Sequence, residues 1–260
     1  MRPLILLTND DGVSSPGLAA LAEAVQDQGE LLIVAPRWQQ TTMGRSFPRN
    51  ETAGTIESFE VLVGGQAMVA FGVTGSPAQA VAHAVLEICH RKPDLCLSGI
   101  NYGENVGLSL TCSGTLGAAF EAFSHGIPAI ALSLQVPVDE QHTAVYPARD
   151  WKACQRVAAQ WTARVLAEGL APGTSVLNLN IPAEATETTP VWFTRQSGRS
   201  SSRFRRPGAR PWHSGFQLDS EPDPDLAQAE PGSDIRALHV DKVISLTPLG
   251  WDLSRKEGTP

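Results

Sequence analysis

One segment constrains this chain more than any other: an apolar run that stops abruptly on two acids. Pro3-Leu4-Ile5-Leu6-Leu7-Thr8 is followed directly by Asn9-Asp10-Asp11-Gly12. Leu and Ile without polar alternation mark a strand buried on both faces, the pattern of a parallel sheet. Open α/β sheets hold their ligands at the carboxyl ends of such strands. Two adjacent carboxylates at that edge repel each other. A divalent cation that prefers hard oxygen ligands, such as magnesium, manganese or calcium, offsets the repulsion. Asn-Asp-Asp-Gly is also good turn chemistry, so the tetrapeptide alone leaves a plain turn open.

The pattern continues downstream. Gly17 to Gln28 reads as an amphipathic helix with Leu18, Leu21, Ala22 and Val25 on one face, stopped by Gly29. Leu31-Leu32-Ile33-Val34-Ala35 is a second buried strand closed by Pro36, which completes a β-α-β unit. Short strands are expected within Phe59–Val63 and Met68–Phe71, and Ser76-Pro77 opens a helix running to about His90. Leu95 to Ser98 is a third core strand, followed by a long loop from Gly99 to Ser113 and a helix from Gly114 to about Ser124. Ala129–Leu134 and Val176–Ile181 are strands flanking a helix over Trp151–Glu168. The order predicts an α/β core over residues 1–182: a three-layer, Rossmann-like, mostly parallel sheet with helices on both faces.

Residues 183–260 change character. Arg195, Arg199, Arg203, Arg205, Arg206 and Arg210 fall in a stretch without an acid. Asp219, Glu221, Asp223, Asp225, Glu230 and Asp234 follow in a stretch without Lys or Arg. This mirrored charge predicts a β-rich, hairpin-like arm, with one half free to dock on a neighbouring subunit, before a closing strand at Val243–Thr247. The basic stretch also admits a phosphate-contacting patch.

A formal net charge of -7 argues against stable nucleic-acid binding. Phosphate chemistry stays open, because a metal supplies positive charge locally. Cys89, Cys96, Cys112 and Cys154 form no Cys-x-x-Cys pair, which removes support for zinc-ribbon and thioredoxin readings and fits a reducing cytoplasm. The first apolar run is too short for a signal peptide, and no stretch is long enough to span a membrane. The expectation is a cytoplasmic protein with no membrane partner.

Four unusual loops fall where strands end: Asn9–Gly12, Ala35–Gly44, Ser98–Gly107 and Ser113–Thr115. Parallel strands bring such loops to one edge. Together they offer carboxylates, hydroxyls and amide oxygens, a donor set for a hard cation. The helix start after Ser113 offers backbone N–H groups to a phosphate. The combination points to metal-assisted phosphoryl hydrolysis.

Thr8-Asn9-Asp10-Asp11-Gly12, Ala35-Pro36 with Thr41, Ser98-Gly99-Ile100-Asn101 with Asn105, and Ser113-Gly114-Thr115 together resemble the survival-protein-E (SurE) family of nucleotidases. Further echoes are Thr74-Gly75-Ser76-Pro77, Asn178-Leu179-Asn180-Ile181-Pro182, Phe193-Thr194-Arg195-Gln196-Ser197 and Val243 to Leu249, so the likeness spans nearly the whole chain. The resemblance implies a metal-dependent phosphatase acting on nucleoside 5′- and 3′-monophosphates. It implies one divalent cation per subunit, magnesium or manganese, held by Asp10, Asp11, Thr41 and Asn101. Asp10 and Asp11 would also be the catalytic pair. Ser113, Gly114 and Thr115 would hold the phosphate, with Asn9, Gly44 and Asn105 nearby. It further implies a homodimer or homotetramer with C-terminal contacts exchanged between subunits.

The chain departs from the family at several positions. Thr41 stands for the usual Ser and Arg45 for the usual His. Cys112 stands for an aromatic or His, and Gln79 for an Asp. Leu108 and Ser109 stand where an acid is common. Two alternatives remain: a degenerate homologue that binds metal or nucleotide with little turnover, and a non-enzymatic receiver-like phospho-switch. The second needs a phosphorylatable Asp at the end of the third core strand, where this chain has Ser98-Gly99.

Overall fold

The computed structural model describes residues 2–141 and 145–254. β1 (Leu4–Thr8) is buried along its whole length, as an unbroken apolar strand must be. Pro16 starts α1 (Pro16–Val25), whose Leu18, Leu21 and Val25 are buried. β2 (Glu30–Pro36) lies parallel to β1 with Leu7 opposite Ile33. β3 (Ile56–Val63) and β4 (Gln66–Val73) form an antiparallel hairpin. Its two-residue turn, Gly64-Gly65, has φ of 55° and 80°, the backbone that tight hairpins require. Then come α2 (Pro77–His83), β5 (Leu95–Tyr102), α3 (Gly114–Ser124), β6 (Ala129–Leu134), α4 (Lys152–Glu168) and β7 (Val176–Ile181). The C-terminal part adds β8 (Val191–Phe193), β9 (Ser202–Phe204), β10 (Ser220–Pro222), α5 (Asp234–His239) and β11 (Ile244–Leu249).

Nine strands form one sheet in the order β3-β4-β2-β1-β5-β6-β7-β11-β8. The six strands from β4 to β7 run parallel, while β3 and β11 pair antiparallel with β4 and β7. α1 and α4 share one hydrophobic core with the sheet, and α2 and α3 share another, so the expected three layers are present. The chain leaves β1 toward β2 on one side and returns to β5 on the other. This reversal is the topological switch point, where open α/β sheets form a ligand crevice. Asn9, Asp10 and Asp11 emerge into it.

Several boundaries differ from the sequence pattern. The helix expected to reach His90 stops its α geometry at His83 and continues as a π turn over Ala84–Ile88. The third core strand does not end at Ser98. It bulges between Ser98 and Asn101 and runs to Tyr102, so Asn101 sits on a strand rather than in a loop. The mirrored charges do fold as a hairpin: β9 pairs antiparallel with β10. Arg203 and Arg205 each donate to a different oxygen of Glu221 at 3.0 Å. α5 was not apparent in the sequence, because it is a short helix cut from the acidic stretch and started by a Ser233 cap. Through β8 and β11 the C-terminal part extends the same sheet.

Candidate active site

Asp10 and Asp11 are only 3% and 2% exposed. Thr115 Oγ1 donates to Asp10 Oδ1 at 2.7 Å. Asp11 accepts the Tyr102 N–H at 3.0 Å and the Gln39 amide at 3.3 Å, and Tyr146 donates its hydroxyl to the Asp11 carbonyl at 2.6 Å. Among the described residues no Lys, Arg or His pairs with either carboxylate. Burial pushes both carboxyls above the usual carboxylate range, and at Asp10 the neighbouring Asp11 charge adds to it.

Buried carboxylates without a cationic partner are costly, so this pair fits positive charge brought from outside the chain. No cluster of three or more His, Cys, Asp or Glu able to hold a metal occurs among the described residues. A cation here would therefore complete its shell with neutral oxygens and water, as magnesium commonly does.

The surrounding loops close on the acids through short backbone contacts. The Asn9 side chain closes the turn, donating to the Gly12 carbonyl at 3.0 Å and accepting its N–H at 3.1 Å. The Gln40 N–H donates to the Asp10 carbonyl at 2.6 Å, and the half-buried Thr41 is the next residue along that loop. Asn101 is buried, and its amide nitrogen donates to the Gly103 carbonyl at 2.6 Å. Ser113 caps α3 by accepting the Leu116 N–H at 3.1 Å. A Cβ at Gly114 would lie 2.8 Å from Asp10 Oδ2, and one at Gly117 would lie 2.1 Å from the Gly44 carbonyl. Glycine at 114 and 117 is thus what lets the start of α3 and the second loop approach the acids. Gly44 itself has φ of 55° and donates to the Cys112 carbonyl at 3.0 Å.

Behind this edge lies a buried polar network. Asn105 donates its side-chain amide to Thr115 at 3.2 Å and Ser133 at 2.9 Å, and its backbone carbonyl accepts from the Asn178 and Asn180 side-chain amides at 2.9 and 3.0 Å. Thr115 and Asn105 are therefore held together with Asp10. Gln39, Tyr102, Ser133, Tyr146, Asn178 and Asn180 had no assigned part in the site from sequence. The signal for the two asparagines was present: Asn-Leu-Asn puts two amides on one face of an otherwise apolar strand. No comparable signal marks Tyr146.

The C-terminal part braces the third loop. The Asp234 carboxylate accepts the Gly107 and Ser197 N–H groups, both at 2.9 Å, and Gln196 donates to the Gly107 carbonyl at 2.9 Å. Two of the family departures find local explanations. Arg45 pairs with buried Glu121 at 2.6 Å. Gln79 completes a capping box with Ser76. Cys112 is exposed, its thiol 3.2 Å from the Ser109 carbonyl, and Leu108 faces solvent.

The survival protein SurE family model matches residues 5–203. A protein named 5′-nucleotidase SurE from Methanocella arvoryzae is 40% identical over 98% of this chain and 94% of its own length. One of the same name from Archaeoglobus fulgidus is 38% identical over 96% of this chain and 92% of its own. The crystal structure of the SurE protein from Aquifex aeolicus superposes with a TM-score of 0.74 at 32% identity, covering 97% of this chain and 95% of that one.

Proposed function

The chain belongs to the survival protein SurE family and is a 5′-nucleotidase, and from that premise we propose how its residues divide the work. The substrate is a nucleoside 5′-monophosphate, with 3′-monophosphates as a second class. One divalent cation per subunit, magnesium or manganese, is held by Asp10, Asp11, Thr41 and Asn101. When bound, that cation supplies Lewis acidity toward the phosphoryl oxygens and the attacking water. The observation that carries this reading is the pair of adjacent buried carboxylates with no cationic partner among the described residues.

The chain's own residues do the rest. Thr115 fixes Asp10 through Oδ1 and leaves Oδ2, which lies against Gly114, as the oxygen for the cation. The amide nitrogen of Asn101 is committed to Gly103, so its oxygen is the ligating end. Ser113, Gly114 and Thr115 start α3, where backbone N–H groups and the helix dipole favour a phosphate dianion. Asn9 and Gly44 shape the two loops around them, and Asn105 locks Thr115 in place. Thr41 keeps the hydroxyl of the family's usual Ser, while its extra methyl stiffens χ1.

Residues 1–182 act as the nucleotidase core and 183–260 as a bracing extension. We assign the arm to contacts between subunits of a dimer or tetramer: Phe204 and Trp212 are 71% and 93% exposed, more apolar surface than an isolated hairpin keeps at no cost. No helix among the described residues is long and apolar enough to cross a membrane, and the cytoplasm is the proposed compartment. The test is phosphate release from AMP and GMP. Turnover with added magnesium or manganese and none after chelation supports the reading. Metal binding with no hydrolysis of any monophosphate would replace it with the degenerate homologue.

A further inference from the structure

A groove of about 560 Å³ begins at Ser113 and runs along the flank of α3, a size typical of small-molecule sites. Ser113, Gly117 and Phe120 line it at i, i+4 and i+7, one stripe of the helix. Thr194, Arg195 and Trp251 line it as well. Its two walls differ in chemistry. On the sheet side the Thr194 hydroxyl is 2.7 Å from that of Thr247 and 2.8 Å from that of Ser245, a hydroxyl cluster where an apolar floor would otherwise be expected. On the other side Trp251 is 48% exposed, and its ring packs against Phe120 with centroids 5.1 Å apart. The Arg45 guanidinium lies 5.0 Å from the Trp251 ring centre and is itself held by Glu121. Phe120 and Arg45, which also line the groove, thus hold the indole in place while about half of Trp251 stays exposed.

We propose that this groove binds the nucleoside half of the substrate, with the base packed on Trp251 and the sugar toward the hydroxyl cluster. This rests on the assignment of the phosphate to the start of α3. Ser113 lies in both features, so an ester leaving the phosphate site on this side enters the groove directly. The ligand class follows from the lining. A flat aromatic face suits a base, hydroxyls suit a ribose, and Arg195 at the rim suits a ligand carrying a dianion. Trp251 is then a specificity-determining residue, and the chain favours nucleotides over phosphate monoesters of non-aromatic alcohols.

Two measurements on the full chain test this. In steady-state kinetics with manganese, W251A raises the ratio of KM for AMP to KM for ribose 5-phosphate on the order of tenfold, the usual scale of one lost base stack. W251F restores most of that ratio. A ratio that W251A leaves unchanged overturns the proposal. In equilibrium binding, wild-type protein takes up adenosine, which has no phosphate to hydrolyse, and W251A binds it on the order of tenfold more weakly. Equal adenosine binding by the two proteins overturns the groove assignment whatever the activity. Adenosine binding that depends on Trp251, in a protein that hydrolyses no monophosphate, supports the groove and defeats the phosphate-site reading instead. Matching thermal melts of the variants confirm that folding is not the cause.

Discussion

Two charged clusters in this molecule are built in opposite ways. In the C-terminal arm Arg203 and Arg205 flank Glu221, all three side chains at least 31% exposed and joined by two hydrogen bonds of 3.0 Å. The donated hydrogen bonds hold the Glu221 carboxyl below its usual range. At the end of β1, Asp10 and Asp11 are buried side by side with no cation of the described chain beside them, and their carboxyls are pushed up. Exposed, mutually satisfied charge changes stability little. Buried like charge lowers stability until something binds. The first arrangement serves shape. The second makes sense only with a ligand, and on that ground we place the centre of function at the switch point rather than in the arginine-rich arm.

The contrast is sharpest in activity. D10N removes a negative ligand while keeping the Oδ1 acceptor for Thr115, and phosphate release from AMP should fall on the order of a thousandfold. The same substitution should stabilise the metal-free protein, on the order of 2 kcal/mol or roughly 5 °C in Tm, because a buried unpaired charge is gone. A melt of metal-free D10N below wild type would break the comparison.

The pH dependence carries the same sign. A carboxyl with a raised folded pKa binds more protons folded than unfolded. These two acids therefore make metal-free protein less stable as pH rises from the ordinary carboxylate range toward neutrality, and saturating metal removes that slope.

His239 supplies an opposite slope from the extension. Burial, with the Lys242 charge adding to it, pushes its pKa down to about 4, and its ring faces Glu104 at 3.4 Å and Gln135 at 3.2 Å. A depressed histidine contributes stability that is fully present above its unfolded value near 6.5 and is lost as pH falls toward 4. Replacing it in H239Q should flatten that acid limb by on the order of 1 kcal/mol in urea melts. The smallest effect belongs to the arm: R203A with R205A should move stability by less than about 0.5 kcal/mol. A larger loss would mean that the arm pairs matter to the fold as much as the switch point does.

Much of this was legible from residue pattern. Apolar runs announced β1, β2 and β6 because burial on both faces leaves little room for alternation, and β7 showed through the two asparagines set into its apolar run. The acids were legible because they interrupt such a run. Less legible was anything decided by contact between distant segments. Asn101 looked like a loop residue because Gly99 suggested a strand end, whereas pairing with β6 carries β5 through a bulge to Tyr102. α5 was hidden because its stability comes from docking Ile235 and Leu238 against Val106, not from its own short periodicity. The grip of Asp234 on Gly107 and that of Tyr146 on Asp11 join residues 127 and 135 positions apart, and no local spacing encodes them.

The central claim is that Asp10 and Asp11, buried with no cationic partner among the described residues, are kept so in order to hold a divalent cation. Calorimetric titration of manganese into metal-free protein tests it most directly. One cation should bind per subunit, with heat lost in both D10N and D11N. Manganese binding of undiminished affinity in the two variants would contradict the claim.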